Sequence, residues 1–183
     1  MNHQDFQPGA QSLHREPRPG GTGDGSAPRH EASGATAIRL LNRALAIARS
    51  VLPRCERQYL AALRSHTPAA AAAALEHAHD ARIHVDRIAE RIDALGGETA
   101  EADPAPDAAV TRSRAEPVGA PTLAAAIRGA VAAERDAIAG YTEIAAFFRP
   151  SDPATLALIE DIASDAEQRA RELAGLLDEV PNF

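Results

Sequence analysis

"GGETAEADPAPDAAVTRSRAEPVGAP" fills positions 96–121, and these 26 residues decide the fold. The stretch is too long for a tight turn, and fully extended it reaches ~80 Å at about 3.3 Å per residue. Two segments with helical periodicity lie on each side of it, at 36–65 and 69–95 before and at 122–148 and 153–179 after. A helix of 27 residues is only ~40 Å long, so this connection can run the full length of a bundle. Thr67 and Pro68 make a short link inside the first pair. Pro150, Ser151, Asp152 and Pro153 make another inside the second, with Asp152 suited to an N-cap and Pro153 to the first helical position. Two short links and one long crossover between helices two and three specify an all-α four-helix bundle.

Composition agrees. The chain has 183 residues, 45% hydrophobic and 25% charged, which suits one domain with a real core and a flank. Aromatics are only 3% and alanine is abundant, so a helical bundle is favoured over a β-sandwich. The net charge is -7, and all 19 basic residues are arginine. That balance argues against a nucleic-acid partner or an anionic-membrane anchor. Cys55 stands alone, excluding an internal disulfide framework, and no apolar run is long enough to span a membrane. The N-terminus lacks a basic-then-apolar signal pattern, so a cytoplasmic location is expected. Residues 1–35, rich in Gly, Pro, Ser and His, read as a disordered tail, and the bundle is placed at 36–180. The tail's Arg15, Arg18 and Arg29 are matched by Asp5, Glu16, Asp24 and Glu31, so it is no DNA-binding arm.

At 100° per residue each helix shows one apolar stripe. The first carries Leu41, Leu45, Ala48, Leu52, Cys55 and Tyr59; the second Ala74, Ala81, Val85, Ile88, Ile92 and Leu95, with His77 and His84 at its edge. The third carries Leu123, Ile127, Val131, Ile138 and Tyr141, with Glu134 at the centre. The fourth carries Ile159, Ile162, Ala166, Ala170, Leu173 and Leu177, with Arg169 at its edge. An ionised Glu134 among these aliphatics costs several kcal/mol unless it is paired or ligating. Arg169 is the expected partner, with a guanidinium snorkelling to solvent as the alternative. On the far side of helix two, His79, Asp86 and Glu90 share a stripe with Leu75 and Ile83; it reads as a solvated face or a subunit interface. Pro53, inside helix one, is expected to kink it near Ala48.

Four elements in order carry a resemblance: "HVDRIAERIDALGGE" (84–98), "TRSRAEP" (111–117), "AAERDAIAGYTEI" (132–144) and "LIEDIASDAEQRAREL" (158–173), extended into helix one by "ALA" (44–46), Arg57 and Tyr59. The sequence resembles the ferritin-like superfamily, in particular small bacterioferritins and the DNA-protection-during-starvation (Dps) branch, over almost all of 40–178. The resemblance implies a di-iron oxidation centre held by a Glu on each of two helices and a Glu-x-x-His on each of the other two.

Carried over residue by residue, the first Glu falls on Ala48, the first Glu-x-x-His on Ala81 and His84, the third-helix Glu on Glu134, and the last Glu-x-x-His on Ala166 and Arg169. Two of six ligand types remain, so His84 and Glu134 are the candidate remnant of a metal site inside the bundle. Glu76-x-x-His79 has the right spacing but sits about a turn and a half too early. The Dps pattern, which places iron between subunits, is matched by Asp86 and Glu90, whereas its other ligands fall on Tyr59, Ala71 and Leu75. His79, Asp86 and Glu90 are thus candidates for an outer or intersubunit metal site. The resemblance makes iron the one candidate cofactor. The function it implies is an iron-handling subunit with little or no oxidase chemistry, acting as a homo-oligomer or in co-assembly with an active relative. The alternative is an active iron-storing mini-ferritin with an atypical site.

Overall fold

The computed structural model describes residues 27–100 and 121–180, with side chains from 33 onward. Four helices form it: α1 (Ala27–Arg64), α2 (Pro68–Ala94), α3 (Leu123–Phe148) and α4 (Pro153–Glu179). Three begin within a residue of the boundaries read from the sequence. The first begins at Ala27 rather than near 36, because an alanine-containing stretch can propagate a helix without an apolar stripe. What was expected of the tail over 1–26 lies outside the described residues.

Local chemistry accounts for the ends. Gly96 has φ 74° and closes α2, with its amide donating to Asp93 O at 2.9 Å and that of Gly97 to Ile92 O at 3.0 Å. This is the Schellman arrangement, in which a glycine takes the left-handed position. α1 ends in the same way: the Thr67 amide donates to Ala62 O at 3.0 Å and that of His66 to Leu63 O at 3.2 Å. The left-handed residue here is His66, at φ 52°. Asp152 caps α4, accepting from the Thr155 amide at 3.0 Å. Arg91 of α2 donates from Nη2 to Asp152 at 2.7 Å and from Nε to the Thr155 hydroxyl at 2.7 Å, fastening that cap to the neighbouring helix. Pro53 removes the amide that would bond the Arg49 carbonyl, yet α1 continues through it as one helix.

α1 packs antiparallel on α2, and α3 on α4, as two helical hairpins. The Arg43–Glu143 ion pair and the approach of Ile47 to Gly140 set α1 antiparallel to α3. The His84–Asp165 and His77–Glu172 contacts set α2 antiparallel to α4. Both ends of the crossover are fixed on α1. Asn42 donates to Glu98 O at 3.0 Å and accepts from the Ala100 amide at 2.6 Å, and Arg64 donates to Pro121 O at 3.4 Å. Asn42 and Arg64 are ~33 Å apart along a helix rising 1.5 Å per residue, so the connection traverses the bundle as its length implies. Its path over 101–120 lies outside the described residues.

Among the described residues a small apolar cluster of Val51, Cys55 and Ala81 and two larger ones fill the interior. One holds Leu41, Leu45, Ile88, Ile92, Tyr141, Ile144, Phe148, Ile159 and Ile162; the other holds Ala61, Ala62, Ala70, Leu123, Ile127, Val131 and Leu173. Between them every helix contributes polar residues: Arg54 and Gln58, His77 and His84, Glu134, then Arg169, with the half-exposed Asp165 and Glu172 at the rim. The stripes are those the sequence outlines, with a correction at Leu95, which is 36% exposed because α2 has ended before it.

Candidate functional site

The polar layer is built around Glu134. Its place at the centre of the α3 stripe buries it to 3% exposure, with Arg169 at 4%. Arg169 Nη2 donates to Glu134 Oε2 at 3.2 Å, so the guanidinium turns inward and does not reach solvent. Ala48, Ala81 and Ala166 are buried in the same interior, at 2% exposure or less, and present only methyl groups. Tyr141 and Cys55 complete the surroundings. Burial first, and then the negative charge of Glu134, push the Cys55 thiol up to about 11. Burial also raises the Tyr141 hydroxyl, against the influence of Arg169.

The two histidines are buried, each at 3% exposure, but they bond away from Glu134. His84 Nε2 lies 2.9 Å from Asp165 Oδ2, and His77 Nε2 lies 3.0 Å from Glu172 Oε2. A carboxylate only accepts, so each Nε2 carries the proton and donates. Burial pulls the His84 pKa down, and the Asp165 hydrogen bond opposes that without reversing it. The hydrogen bond from His77 holds the Glu172 carboxyl below its usual range. The helix faces did not reveal Asp165 and Glu172. A signal was present: 77 and 84 are seven apart, as are 165 and 172, and two antiparallel helices bring such pairs together at once. These residues and Arg169 line a cleft of about 280 Å³ between α2 and α4.

Sequence reasoning also missed Arg54 and Gln58. Gln58 is 2% exposed. Burial lowers the Arg54 pKa while the carboxylate of Glu134 partly restores it, which places Arg54 in the field of that group. The remaining candidates, His79, Asp86 and Glu90, are all exposed on the outer face of α2. Among the described residues no three of His, Cys, Asp and Glu are grouped so as to hold a metal ion, and no helix is long and apolar enough to cross a membrane.

A four-helix bundle with one long crossover and an ionisable layer in mid-bundle is the architecture of ferritin-like proteins. The family model for the ferritin-like domain matches residues 65–183, and the chain belongs to that family. Among solved structures, the fold is similar to the bacterioferritin of Desulfovibrio desulfuricans, a di-iron protein, with TM-score 0.70 and 20% identity over 84% of each chain. It is similar to the dodecameric bacterioferritin-related thioferritin of Bacteroides fragilis, with TM-score 0.66 and 24% identity, covering 80% of this chain and 86% of that one. The Dps92 protein of Deinococcus radiodurans follows at TM-score 0.65 and 15% identity, covering 82% and 90%. No curated protein matches the sequence.

Proposed function

We propose that this chain is a ferritin-like subunit of iron handling whose ferroxidase centre is largely lost, and that it serves as a non-catalytic or weakly iron-binding member of an oligomer. The Glu134–Arg169 contact carries the reading. Two irons need several anionic oxygens to offset their charge. The buried interior of the layer offers one carboxylate among the described residues, already bound to a guanidinium, with a second arginine in its field and methyl groups at 48, 81 and 166. His84 has its Nε2 committed to Asp165. These residues do not fit a di-iron group, because they supply positive charge where the metals would need negative. Asp86 and Glu90, exposed on α2, remain the place where an active mini-ferritin of the intersubunit kind would act.

The oligomer is supported by apolar surface. Leu60, Leu63, Leu75 and Ile83 are 42–56% exposed, and a groove of about 430 Å³ between α1 and α2 is lined by Leu52, Pro53, Tyr59, Leu75 and Ala78. Monomeric surfaces seldom leave such a patch uncovered, and the Bacteroides relative is a dodecamer. A second copy of this chain is the occupant proposed.

The test is to add Fe(II) to the purified chain without air, admit air, and follow ferric absorbance. Oxidation no faster than in protein-free buffer is expected. Rapid oxidation of about two irons per subunit overturns the reading if it survives Asp86→Ala and Glu90→Ala, and transfers the chemistry to the outer face if it does not. Sedimentation of the same sample is expected to give an assembly that Leu75→Glu dissociates; a monomer would remove the self-assembly part.

A further inference from the structure

Four buried nitrogens in the polar layer have no acceptor among the described residues: Arg54 Nε, Gln58 Nε2, Arg169 Nε and Arg169 Nη1. All are donors, and among the described residues no buried side-chain oxygen is left unpaired beside them. Protein interiors pair nearly all such groups, so a one-sided surplus of donors needs an explanation. The charges are unevenly placed: Asp165 and Glu172 lie at the α2–α4 side, each on a histidine. In the layer's interior Arg169 is bonded to Glu134, the one buried carboxylate among the described residues, which leaves Arg54 with no carboxylate of its own.

Arg54 also reaches outward. Together with Arg57 it lines a cleft of about 200 Å³ between α1 and α3, walled by Ala125, Ala126, Gly129 and Ala130. Among the described residues no carboxylate lines this cleft, whereas Asp80, Asp165 and Glu172 line the one between α2 and α4. Alanine and glycine leave the floor clear; a Cβ added at Gly129 would meet nothing within 4 Å. The lip is set by Pro121, whose carbonyl Arg64 holds. Among the described residues the Arg54 guanidinium bonds only a neutral oxygen, Ser50 Oγ at 3.0 Å from Nη2. Its planar fork is suited to a tetrahedral oxyanion, which two guanidiniums grip with charge-assisted bonds.

We propose that the inner end of the α1–α3 cleft binds a small oxyanion of the phosphate class, held by Arg54 and Arg57. Such an ion gives the Arg54 guanidinium a charged acceptor beside the neutral Ser50 Oγ. The site stands apart from the question of iron, since neither arginine belongs to the metal-ligand pattern of the family.

The experiment is calorimetric titration of the full chain with inorganic phosphate and, separately, with a phosphate monoester, at constant ionic strength. Saturable binding of one phosphate per chain is expected, accompanied by a rise in thermal midpoint. Arg54→Gln should weaken it about tenfold or more. Arg57→Ala, an exposed position, should weaken it by about threefold and leave the midpoint in phosphate-free buffer unchanged. Equal binding of the monoester would assign the site to a phosphorylated ligand, and its exclusion to the free ion; the proposal stands in both cases. Absence of saturable binding, or binding and protection in both variants equal to the parent's, would overturn it.

Discussion

Arg169→Met tests the polar layer most directly, because it removes the guanidinium while keeping an apolar stem of similar length. Glu134, at 3% exposure and with Arg169 its hydrogen-bond donor among the described residues, would be left as an unpaired charge in the core. Breaking a buried pair in this way costs about 3–5 kcal/mol. Arg54 lies in the field of the same carboxylate and offsets part of the loss, so the lower end, about 3 kcal/mol, is expected. For a domain of this size that lowers the thermal midpoint by about 6–12 °C. The partner measurement is Arg169→Met with Glu134→Leu, which removes both charges and should recover most of the loss, to within about 1 kcal/mol of the parent. Urea unfolding followed by circular dichroism suits a chain without tryptophan, and equal protein concentrations keep any oligomer from shifting the comparison. A single-variant loss below about 0.5 kcal/mol, or a double variant no better than the single, would show that the contact is not a buried, energetically coupled pair.

His66 should respond in the opposite direction: it holds the left-handed position that ends α1 at φ 52°, so His66→Gly is expected to stabilise by about 0.5–1 kcal/mol, and a lower melting midpoint would contradict that account of the cap. Asp152 predicts an acid limb. Burial alone would raise its pKa, but the Thr155 hydroxyl and amide and the Arg91 guanidinium outweigh it and hold the carboxyl at about 2, against 3.8 ordinarily. A depressed carboxylate stabilises the fold above its unfolded pKa and loses that contribution as pH falls through the folded value. With the side chain 22% exposed, about 1–2 kcal/mol should disappear between roughly pH 4 and pH 2. Asp152→Asn keeps a capping oxygen without the charge; its stability should lack that component, and an unchanged acid limb would rule out the assignment.

The sequence by itself determined the four helices, their inward faces and the crossover, because an amphipathic helix must bury whatever stripe its 3.6-residue period defines, and a 26-residue connection can span the bundle. The same periodicity put Glu134 and three alanines at stripe centres. Tertiary structure decided the pairings. Which carboxylate meets His84 depends on how α4 registers against α2, and a helix's own sequence carries no record of its neighbour's register. The inward reach of Arg54 and Gln58 was hidden for a related reason: long side chains at the edge of a stripe can point to either side, and only the packed neighbours determine which. The turn-by-turn level was mixed, since Gly96 announced the end of α2 as a glycine should, while His66 took the same backbone shape because the chain had to reverse there to bring α2 back against α1.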